Sequence, residues 1–234
     1  MKANWNNTAV IIPVYNSSRY LQELLARITK FTALKNIFII DDGSTDVELE
    51  NLVDTRVNLL HHSKNRGKGA ALLTGFKAAL KKGYKFAITI DSDLQHKPED
   101  LECFLQVQNE AEYDLVIGKR DFDFRKMPWP RILSNSCSSR MVSKVAKKKI
   151  ADTQSGYRLY HLKFLQDEEF VSQRYQFETE VLLRMLGKKA NIGYVKIETI
   201  YGEEKSNISH LRDIWNFLKI LKQEKRRRDE YFVN

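Results

Sequence analysis

The chain has 234 residues, 39 Lys and Arg against 30 Asp and Glu (a formal charge of +9), and 42% hydrophobic residues. This balance is typical of one folded α/β domain or two small ones, and it excludes collagen-like and disordered chains. Two cysteines are too few for a disulfide framework and no apolar run approaches the roughly 20 residues of a membrane span, so we expect a cytoplasmic protein.

The first 120 residues alternate short apolar runs with amphipathic segments. Continuous apolar runs indicate buried strands, and apolar residues at three- and four-residue spacing indicate helices. Strands separated by helices predict an α/β fold with a mostly parallel, Rossmann-like sheet and helices on both faces. The predicted strands are 8–15, 36–41, 56–61, 86–91 and 114–118, and the predicted helices are 19–31, 67–82 and 98–110.

The second half of the chain is less regular. Apolar runs predict strands at 156–160 and 192–199, and periodic apolar residues predict helices at 177–186 and 210–224. We expect this half to complete the same sheet and to form one wall of the ligand site, not a separate domain.

Polar clusters follow four of the predicted strands at the point where each strand ends. In an open α/β sheet, ligands bind outside the carboxyl ends of the strands. The sequence therefore predicts a ligand site on this edge of the sheet. The clusters are PVYN at 13–16, DDGS at 41–44, DSD at 91–93 and GKR at 118–120.

Several common nucleotide and metal motifs are missing from the sequence. Gly67-Lys68-Gly69 lacks the third glycine of a dinucleotide-binding fingerprint, and no Walker A phosphate loop occurs. The five histidines are scattered, and no Cys/His spacing suits zinc.

Asp91 and Asp93 follow the apolar run FAITI. Residues i and i+2 of an extended chain point to the same side, so both carboxylates can face one cation. Such oxygens suit Mg²⁺ or Mn²⁺, and a plain polar turn is the alternative. Gln95 is a candidate third ligand or else an exposed loop amide, and we expect His96 behind the ligands or at the surface.

Two clusters account for much of the positive charge: residues 147–149, and the run from Lys219 to Arg228. Such charge fits nucleic acid, an anionic membrane surface or phosphorylated small molecules as partners. A solvated basic face is the alternative for each cluster.

Six segments, in this order and roughly this spacing, resemble the family-two inverting glycosyltransferases with a GT-A fold. Within that family the resemblance is closest to the dolichyl- and polyprenyl-phosphate sugar transferases. It runs from about residue 8 to residue 208 and implies a GT-A domain over 1–208, with 209–234 as a basic amphipathic helix packed on it. The segments are VIIPVYN, IIDDGSTD, NRGKGAALLTGF, ITIDSDLQHKPED, GKRDF and DTQSGYRLY.

The resemblance implies a site for a GDP- or UDP-linked sugar. By matching motif, Pro13, Tyr15 and Asp42, with Asp41 alongside, would hold the base and ribose. An aromatic face can stack on a base, and a carboxylate accepts hydrogen bonds from base N–H groups and ribose hydroxyls. A surface lysine is the alternative for Lys68. The residues carried over to this donor site are Pro13, Tyr15, Asp41, Asp42, Lys68, Asp91, Ser92 and Arg120.

The resemblance also implies a Mn²⁺ or Mg²⁺ ion held by Asp91, Asp93 and Gln95. The ion would bridge the nucleotide diphosphate and act as a Lewis acid as the diphosphate leaves. Arg120 and Arg131 match positions where the family binds phosphates, and a guanidinium fork suits phosphate oxygens. Surface arginines are the alternative.

Residues 152–158 resemble the D-x-x-S-G-[FY]-R segment beside the family's reaction centre. An acceptor hydroxyl needs a base, whereas a phosphate monoester, with a second pKa of about 6, is already largely dianionic at neutral pH. Asp152 is therefore the base for an alcohol acceptor, or it orients Arg158 or the acceptor when the acceptor is a lipid phosphate. Asp152, Arg158 and Arg131 are the catalytic candidates.

Residues 200–206 resemble the Y-x-x-x-x-S segment of polyprenyl-phosphate transferases. The resemblance implies that Lys205, Ser206 and Arg131 bind the acceptor phosphate. Tyr201 stands close to the position of an arginine in the mannose synthases, and this departure weakens the case for GDP-mannose as donor.

Basic and apolar residues are mixed at 131–149 and again near the C-terminus, as in segments that lie on membranes. Core packing is the alternative for 131–149. We expect a metal-dependent transferase from a nucleotide-diphosphate sugar to polyprenyl (dolichyl or undecaprenyl) phosphate, peripheral on the inner membrane face or held there by a membrane-protein partner. The same chemistry on a soluble glycan hydroxyl is one alternative. A non-catalytic nucleotide- or nucleic-acid-binding protein is another, but uncompensated carboxylates at the site would repel nucleic acid.

Overall fold

A computed structural model describes residues 1–120, 129–198, 200 and 210–231, without the side chains of 129–134, 210–213 and 229–231. Seven strands form one sheet in this part of the chain. They are β1 (Thr8–Val14), β2 (Ile37–Asp41), β3 (Asn58–His61), β4 (Phe86–Thr89), β5 (Leu115–Arg120), β6 (Arg158–His161) and β7 (Ile192–Ile197). Their order across the sheet is β3-β2-β1-β4-β6-β5-β7.

Strand direction places the polar clusters together. β1 is parallel to β2 and β4, and β6 runs antiparallel between β4 and β5, so β5 is parallel to β4. The carboxyl ends of β1, β2, β4 and β5 therefore meet at one edge of the sheet, which we call the rim. This confirms the expected mostly parallel sheet.

Helices cover both faces of the sheet. Neighbouring residues of β1 point to opposite sides: Ile11 belongs to the hydrophobic cluster under α2, α4, α5 and α6, whereas Val10 and Ile12 belong to the cluster under α1 and α3. The helices are α1 (Leu21–Ile28), α2 (Lys68–Lys81), α3 (Leu101–Ala111), α4 (Trp129–Ala146), α5 (Phe177–Gly187) and α6 (His210–Tyr231). In the described part of the chain, no helix combines the length and apolarity needed to cross a membrane.

Element ends differ from the sequence prediction in ways that local chemistry explains. The helix predicted over 98–110 is a 3₁₀ turn at Pro98–Asp100 followed by α3. The last helix runs on to Tyr231 instead of ending at 224, because the Lys- and Arg-rich run favours helix. The strand predicted at 156–160 begins only at Arg158 and is antiparallel, a direction that an apolar run does not encode.

Candidate active site

Lys68 at the start of α2 reaches the rim. Its Nζ lies 2.7 Å from Asp91 Oδ1 and 3.0 Å from Glu178 Oε1. Burial opposes the charge of Lys68, but the two carboxylates outweigh it and hold the pKa of Lys68 above its usual value. Burial likewise opposes the charge of Asp91, and the Lys68 ammonium outweighs it and lowers the pKa of Asp91. Lys68 is therefore part of a charged cluster at the rim and not a surface lysine.

Gly156, in the loop before β6, leaves the space that this cluster fills. A Cβ atom at Gly156 would lie 2.6 Å from Lys68 Nζ, 3.0 Å from Glu178 Oε1 and 3.1 Å from Asp91 Oδ2. Any side chain here would displace the ammonium from its carboxylates.

The proposed metal ligands lie in the segment after β4. Asp91, Asp93 and Gln95 are each partly exposed, whereas Ser92 is buried between them. Asp93 Oδ1 accepts a hydrogen bond from the backbone N–H of Gln95 at 3.0 Å. Among the described residues, no three His, Cys, Asp or Glu side chains gather into a ready-made metal cluster. Two carboxylates and one amide still fit a hard divalent cation that takes its remaining ligands from phosphates and water.

Ser92 and His96 lie beneath these ligands. Ser92 Oγ is 2.5 Å from Ser17 Oγ, so it joins the loops after β4 and β1. The ring of His96 is buried 5.5 Å from that of Tyr157, and burial, with Arg120 and Lys68, lowers the pKa of His96 to about 4. His96 is thus a neutral buried ring at pH 7, and the surface placement is wrong.

Tyr15 and Pro13 lie at the end of β1 on the rim. The side chain of Tyr15 is 44% exposed and Pro13 is partly exposed. Asn16 Oδ1 accepts a hydrogen bond from Thr45 N at 2.8 Å, which ties the loop after β1 to the loop after β2. The exposed Tyr15 side chain thus follows the end of β1, next to the end of β2 where Asp41 lies.

Asp42 and Asp41, at the end of β2, face inward. Asp42 is 2% exposed, and its carboxylate accepts the backbone N–H groups of Gly67 at 2.7 Å and Arg66 at 3.0 Å. Its Oδ1 also lies 2.6 Å from His62 Nδ1. Asp41 is similarly engaged, since it accepts from Ser44 N at 2.8 Å and lies 3.0 Å from His61 Nδ1.

Hydrogen bonds within the protein thus engage both carboxylates, and the direct nucleotide contact expected of them stays a prediction. The oxygens of Asp42 accept hydrogen bonds from the loop that leads into α2, so in this structure Asp42 positions that loop and with it Lys68. Asp41 holds the turn after β2 in the same way.

Arg120 and Asp152 form a paired contact at the end of β5. Arg120 Nε and Nη2 donate to Asp152 Oδ2 and Oδ1 at 2.7 and 2.6 Å, and the backbone N–H of Arg120 donates to Oδ2 at 3.0 Å. The side chain of Asp152 is 0% exposed. Asp152 therefore orients Arg120 in this structure, a partner that was not among those expected from the sequence, Arg158 or the acceptor.

Arg158 is buried under the site, and its expected part in catalysis stays a prediction. Its side chain is 0% exposed, and it donates to the backbone carbonyl oxygens of Ser155 at 2.7 Å, Thr153 at 2.7 Å and Glu178 at 2.8 Å. Arg158 thus fixes the loop before β6 against the start of α5.

The acceptor-side predictions fall outside the described residues. Lys205 and Ser206 lie in the part of the chain that is not described, as does the side chain of Arg131. The chain enters this segment at the rim, since Ile200 N donates to the carbonyl oxygen of Gln95 at 2.9 Å.

Glu178 is a site residue that sequence reasoning missed. It comes from the first turn of α5, where Glu178 and Glu180 are 5% and 0% exposed. Two acidic residues inside an otherwise apolar helix are the signal that could have found it, because buried carboxylates need partners.

Comparison with known proteins agrees with this geometry. Residues 9–168 match the model of "Glycosyl transferase family 2". The UDP-N-acetylglucosamine–dolichyl-phosphate N-acetylglucosaminyltransferase of Methanococcus voltae is 31% identical over 83% of this chain and 86% of its own. The polyprenol monophosphomannose synthase of Mycolicibacterium smegmatis is 29% identical over 88% of this chain and 83% of its own.

A solved structure shares the fold. Glucosyl-3-phosphoglycerate synthase from Mycobacterium tuberculosis, crystallised with Mn²⁺ and UDP-glucose, superposes with a TM-score of 0.71 at 16% identity, over 92% of this chain and 78% of that one. This likeness supports the GT-A fold, and the family match covers most of the sheet and the rim. The chain belongs to glycosyl transferase family 2 and is a glycosyltransferase.

Proposed function

We propose that this enzyme transfers a sugar from a nucleoside-diphosphate sugar to the phosphate of a polyprenyl lipid, with inversion, at the cytoplasmic face of a membrane. Two relatives support the kind of reaction, since their names specify a dolichyl phosphate acceptor and a polyprenol monophosphomannose product. The donor base, guanine or uracil, is an outcome of the experiment below.

The observation that most supports this proposal is the hydrogen bonding and burial of Asp152. Both of its oxygens accept hydrogen bonds from Arg120 and its side chain is fully buried, so it is poorly placed to take a proton from an alcohol. A phosphate monoester requires no such base, because its second pKa is about 6. The arrangement therefore favours a phosphate acceptor over a soluble glycan hydroxyl.

On the donor side, each rim residue has a proposed task. Tyr15 stacks on the base, with Pro13 shaping that end of the pocket, while Asp41, Asp42 and Ser92 hold the loops around it. Lys68 and Arg120 supply positive charge beside the leaving diphosphate. Asp91, Asp93 and Gln95 would hold Mn²⁺ or Mg²⁺, which supplies Lewis-acid stabilisation of the diphosphate when bound.

The proposed reaction is one displacement. An oxygen of the lipid phosphate forms a bond to the anomeric carbon as the bond from that carbon to the donor diphosphate breaks, and the nucleoside diphosphate leaves with the electron pair. Attack opposite the leaving group inverts the anomeric centre. Arg131, Lys205 and Ser206 are proposed for the acceptor phosphate on the strength of the motif match alone.

We also propose that residues 1–208 form the catalytic domain and residues 209–234 a helix packed on it. Supporting this division, the buried side of α6 rests on α4 and α5, with Leu221 in the hydrophobic cluster of that face.

A transfer assay tests the proposal. The protein is incubated with Mn²⁺ or Mg²⁺, a panel of GDP- and UDP-sugars, and detergent-dispersed dolichyl or undecaprenyl phosphate, and the lipid is analysed for bound sugar by mass spectrometry. Sugar-phosphate-lipid that disappears on chelation is the expected product. No sugar bound to either lipid phosphate with any donor of the panel would overturn the phosphate acceptor.

A further inference from the structure

The solvent side of α6 carries large apolar residues. Ile214, Trp215 and Leu218 are 56%, 67% and 44% exposed. Residues three and four positions apart are neighbours on a helix surface, so Leu218 adjoins both Trp215 and Ile214 and the three side chains form a single patch. The helix packs on the protein through other residues, among them Ile220 and Leu221, each 5% exposed. The patch is therefore not part of the core.

The same side of the helix continues into positive charge. Lys219, Lys222 and Lys225 are exposed one turn apart along it. The sequence from 214 to 228 has one acidic residue, Glu224. It points inward, since its side chain is 8% exposed and its Oε1 lies 3.3 Å from Arg184 Nε. The exposed side of this stretch thus combines apolar and cationic residues without a carboxylate.

A second basic cluster adjoins the far end of α6. Arg228 donates to the backbone carbonyl oxygen of Val145, so the C-terminal part of α6 lies against the end of α4. Lys144 and Lys147 through Lys149 are exposed there, around a depression of about 460 Å³. The positive surface therefore extends from α6 onto α4.

We propose that the exposed side of α6, formed by Ile214, Trp215, Leu218, Lys219, Lys222 and Lys225 and here called the docking face, binds an anionic phospholipid membrane. A tryptophan among aliphatic side chains is suited to the interface, and lysines bind anionic headgroups. α6 directly follows the segment proposed to bind the lipid phosphate, so membrane binding here would bring that segment to its acceptor. Only this link to the acceptor rests on the proposed function.

Charge favours a membrane over a second copy of this chain. In a two-fold dimer through this face, the same lysines would meet across the interface without carboxylates to pair with. Protein interfaces are also depleted of lysine at their centres. An anionic bilayer supplies the missing negative charge and accepts the apolar patch.

Vesicle binding tests the docking face. The full chain is sedimented with vesicles of phosphatidylglycerol and phosphatidylcholine, and with vesicles of phosphatidylcholine alone. The triple variant Lys219→Gln/Lys222→Gln/Lys225→Gln should bind the anionic vesicles about a hundredfold more weakly, since each lysine contributes about fivefold. Trp215→Ser should also bind more weakly and lose the blue shift of tryptophan emission that vesicles cause.

The matched control is Lys2→Gln/Lys30→Gln/Lys35→Gln, which removes the same charge from exposed lysines around the opposite hydrophobic cluster. Its binding should remain within a few fold of wild type. Equal loss in both triple variants, or no loss in either, would overturn the docking face. So would a wild-type dimer in sedimentation velocity that Trp215→Ser dissociates, because the face would then be a contact between copies.

Transfer to detergent-dispersed lipid phosphate separates this inference from the proposed function. The Lys219, Lys222 and Lys225 triple variant should keep wild-type transfer in detergent and lose it on vesicles. Vesicle binding that depends on the docking face, in an enzyme that transfers no sugar to any lipid phosphate, would support the docking face and overturn the proposed function.

Discussion

Lys68 Nζ lies 2.7 Å from Asp91 Oδ1, joining the first residue of α2 to the segment after β4. The contact places a partly buried cation at the point where the proposed metal ligands begin. Because Glu178 holds the same ammonium from α5, three elements meet at one charged group. The proposed donor site is thus built around one charged group that three elements share.

We expect Gly156→Ala to weaken donor binding with little loss of stability. The new Cβ would lie 2.6 Å from Lys68 Nζ, the flexible end of a side chain that can move away, and this movement would break the pair with Asp91. Losing a charge-assisted contact should cost about tenfold or more in affinity for UDP or GDP, measured by calorimetry.

Gly187→Ala is the matched control, because a Cβ at Gly187 meets no atom within 4 Å. It should bind nucleotide like wild type. If the Gly156 and Gly187 variants bind UDP and GDP equally well, Lys68 has no part in donor binding.

The rim was predictable from sequence because each of its clusters is local. Tyr15, Lys68 and Asp91 each follow an apolar run or begin a helix, so strand order alone brings them together. The pairing of buried side chains was not predictable in this way. Asp152 and Arg120 lie 32 residues apart, and their contact depends on β6 running antiparallel beside β5.

The motif around Arg158 shows the same limit. The D-x-x-S-G-[FY]-R pattern supplies residue types near a reaction centre, but not which side of the strand the arginine faces. Three backbone carbonyl oxygens surround the guanidinium, so its role in the structure is to shape the loop that contains Gly156.

Asp42→Asn and Lys68→Gln should behave differently. Asp42 accepts two backbone N–H groups while buried, so its loss should lower the free energy of unfolding by about 2 kcal/mol and weaken donor binding through the loop. Lys68→Gln should weaken donor binding with a smaller change in stability. Urea unfolding and nucleotide calorimetry of both variants measure this contrast. An Asp42→Asn variant with wild-type stability that binds no nucleotide would show that Asp42 contacts the nucleotide directly.

Asp93→Ala should abolish metal-dependent transfer and leave the fold intact. Asp93 is partly exposed, and its carboxylate accepts a local hydrogen bond from Gln95 N and does not pack in the core. Binding of Mn²⁺, followed by electron paramagnetic resonance with and without nucleotide, should weaken at least tenfold while the melting temperature stays near that of wild type. Unchanged Mn²⁺ binding in this variant would remove Asp93 from the metal site.

The pH dependence of transfer discriminates between the two acceptor classes. With a lipid phosphate, the rate should rise with pH through the acceptor's second pKa of about 6 and then level off, because the dianion is the nucleophile. Asp152→Asn should keep this profile, since the titrating group belongs to the acceptor. Its rate should fall much less than the roughly 10²–10⁴-fold loss that follows removal of a general base.

Asp152→Asn should instead change the positioning of the Arg120 guanidinium. Asparagine keeps one acceptor oxygen but loses the charge and the second oxygen of the paired contact, so the guanidinium becomes less well placed beside the diphosphate. We therefore expect a raised KM for the nucleotide sugar, and Arg120→Gln should show the same change. A soluble sugar alcohol accepted by wild type, together with an inactive Asp152→Asn whose KM for the donor is normal, would make Asp152 the base and the acceptor a hydroxyl.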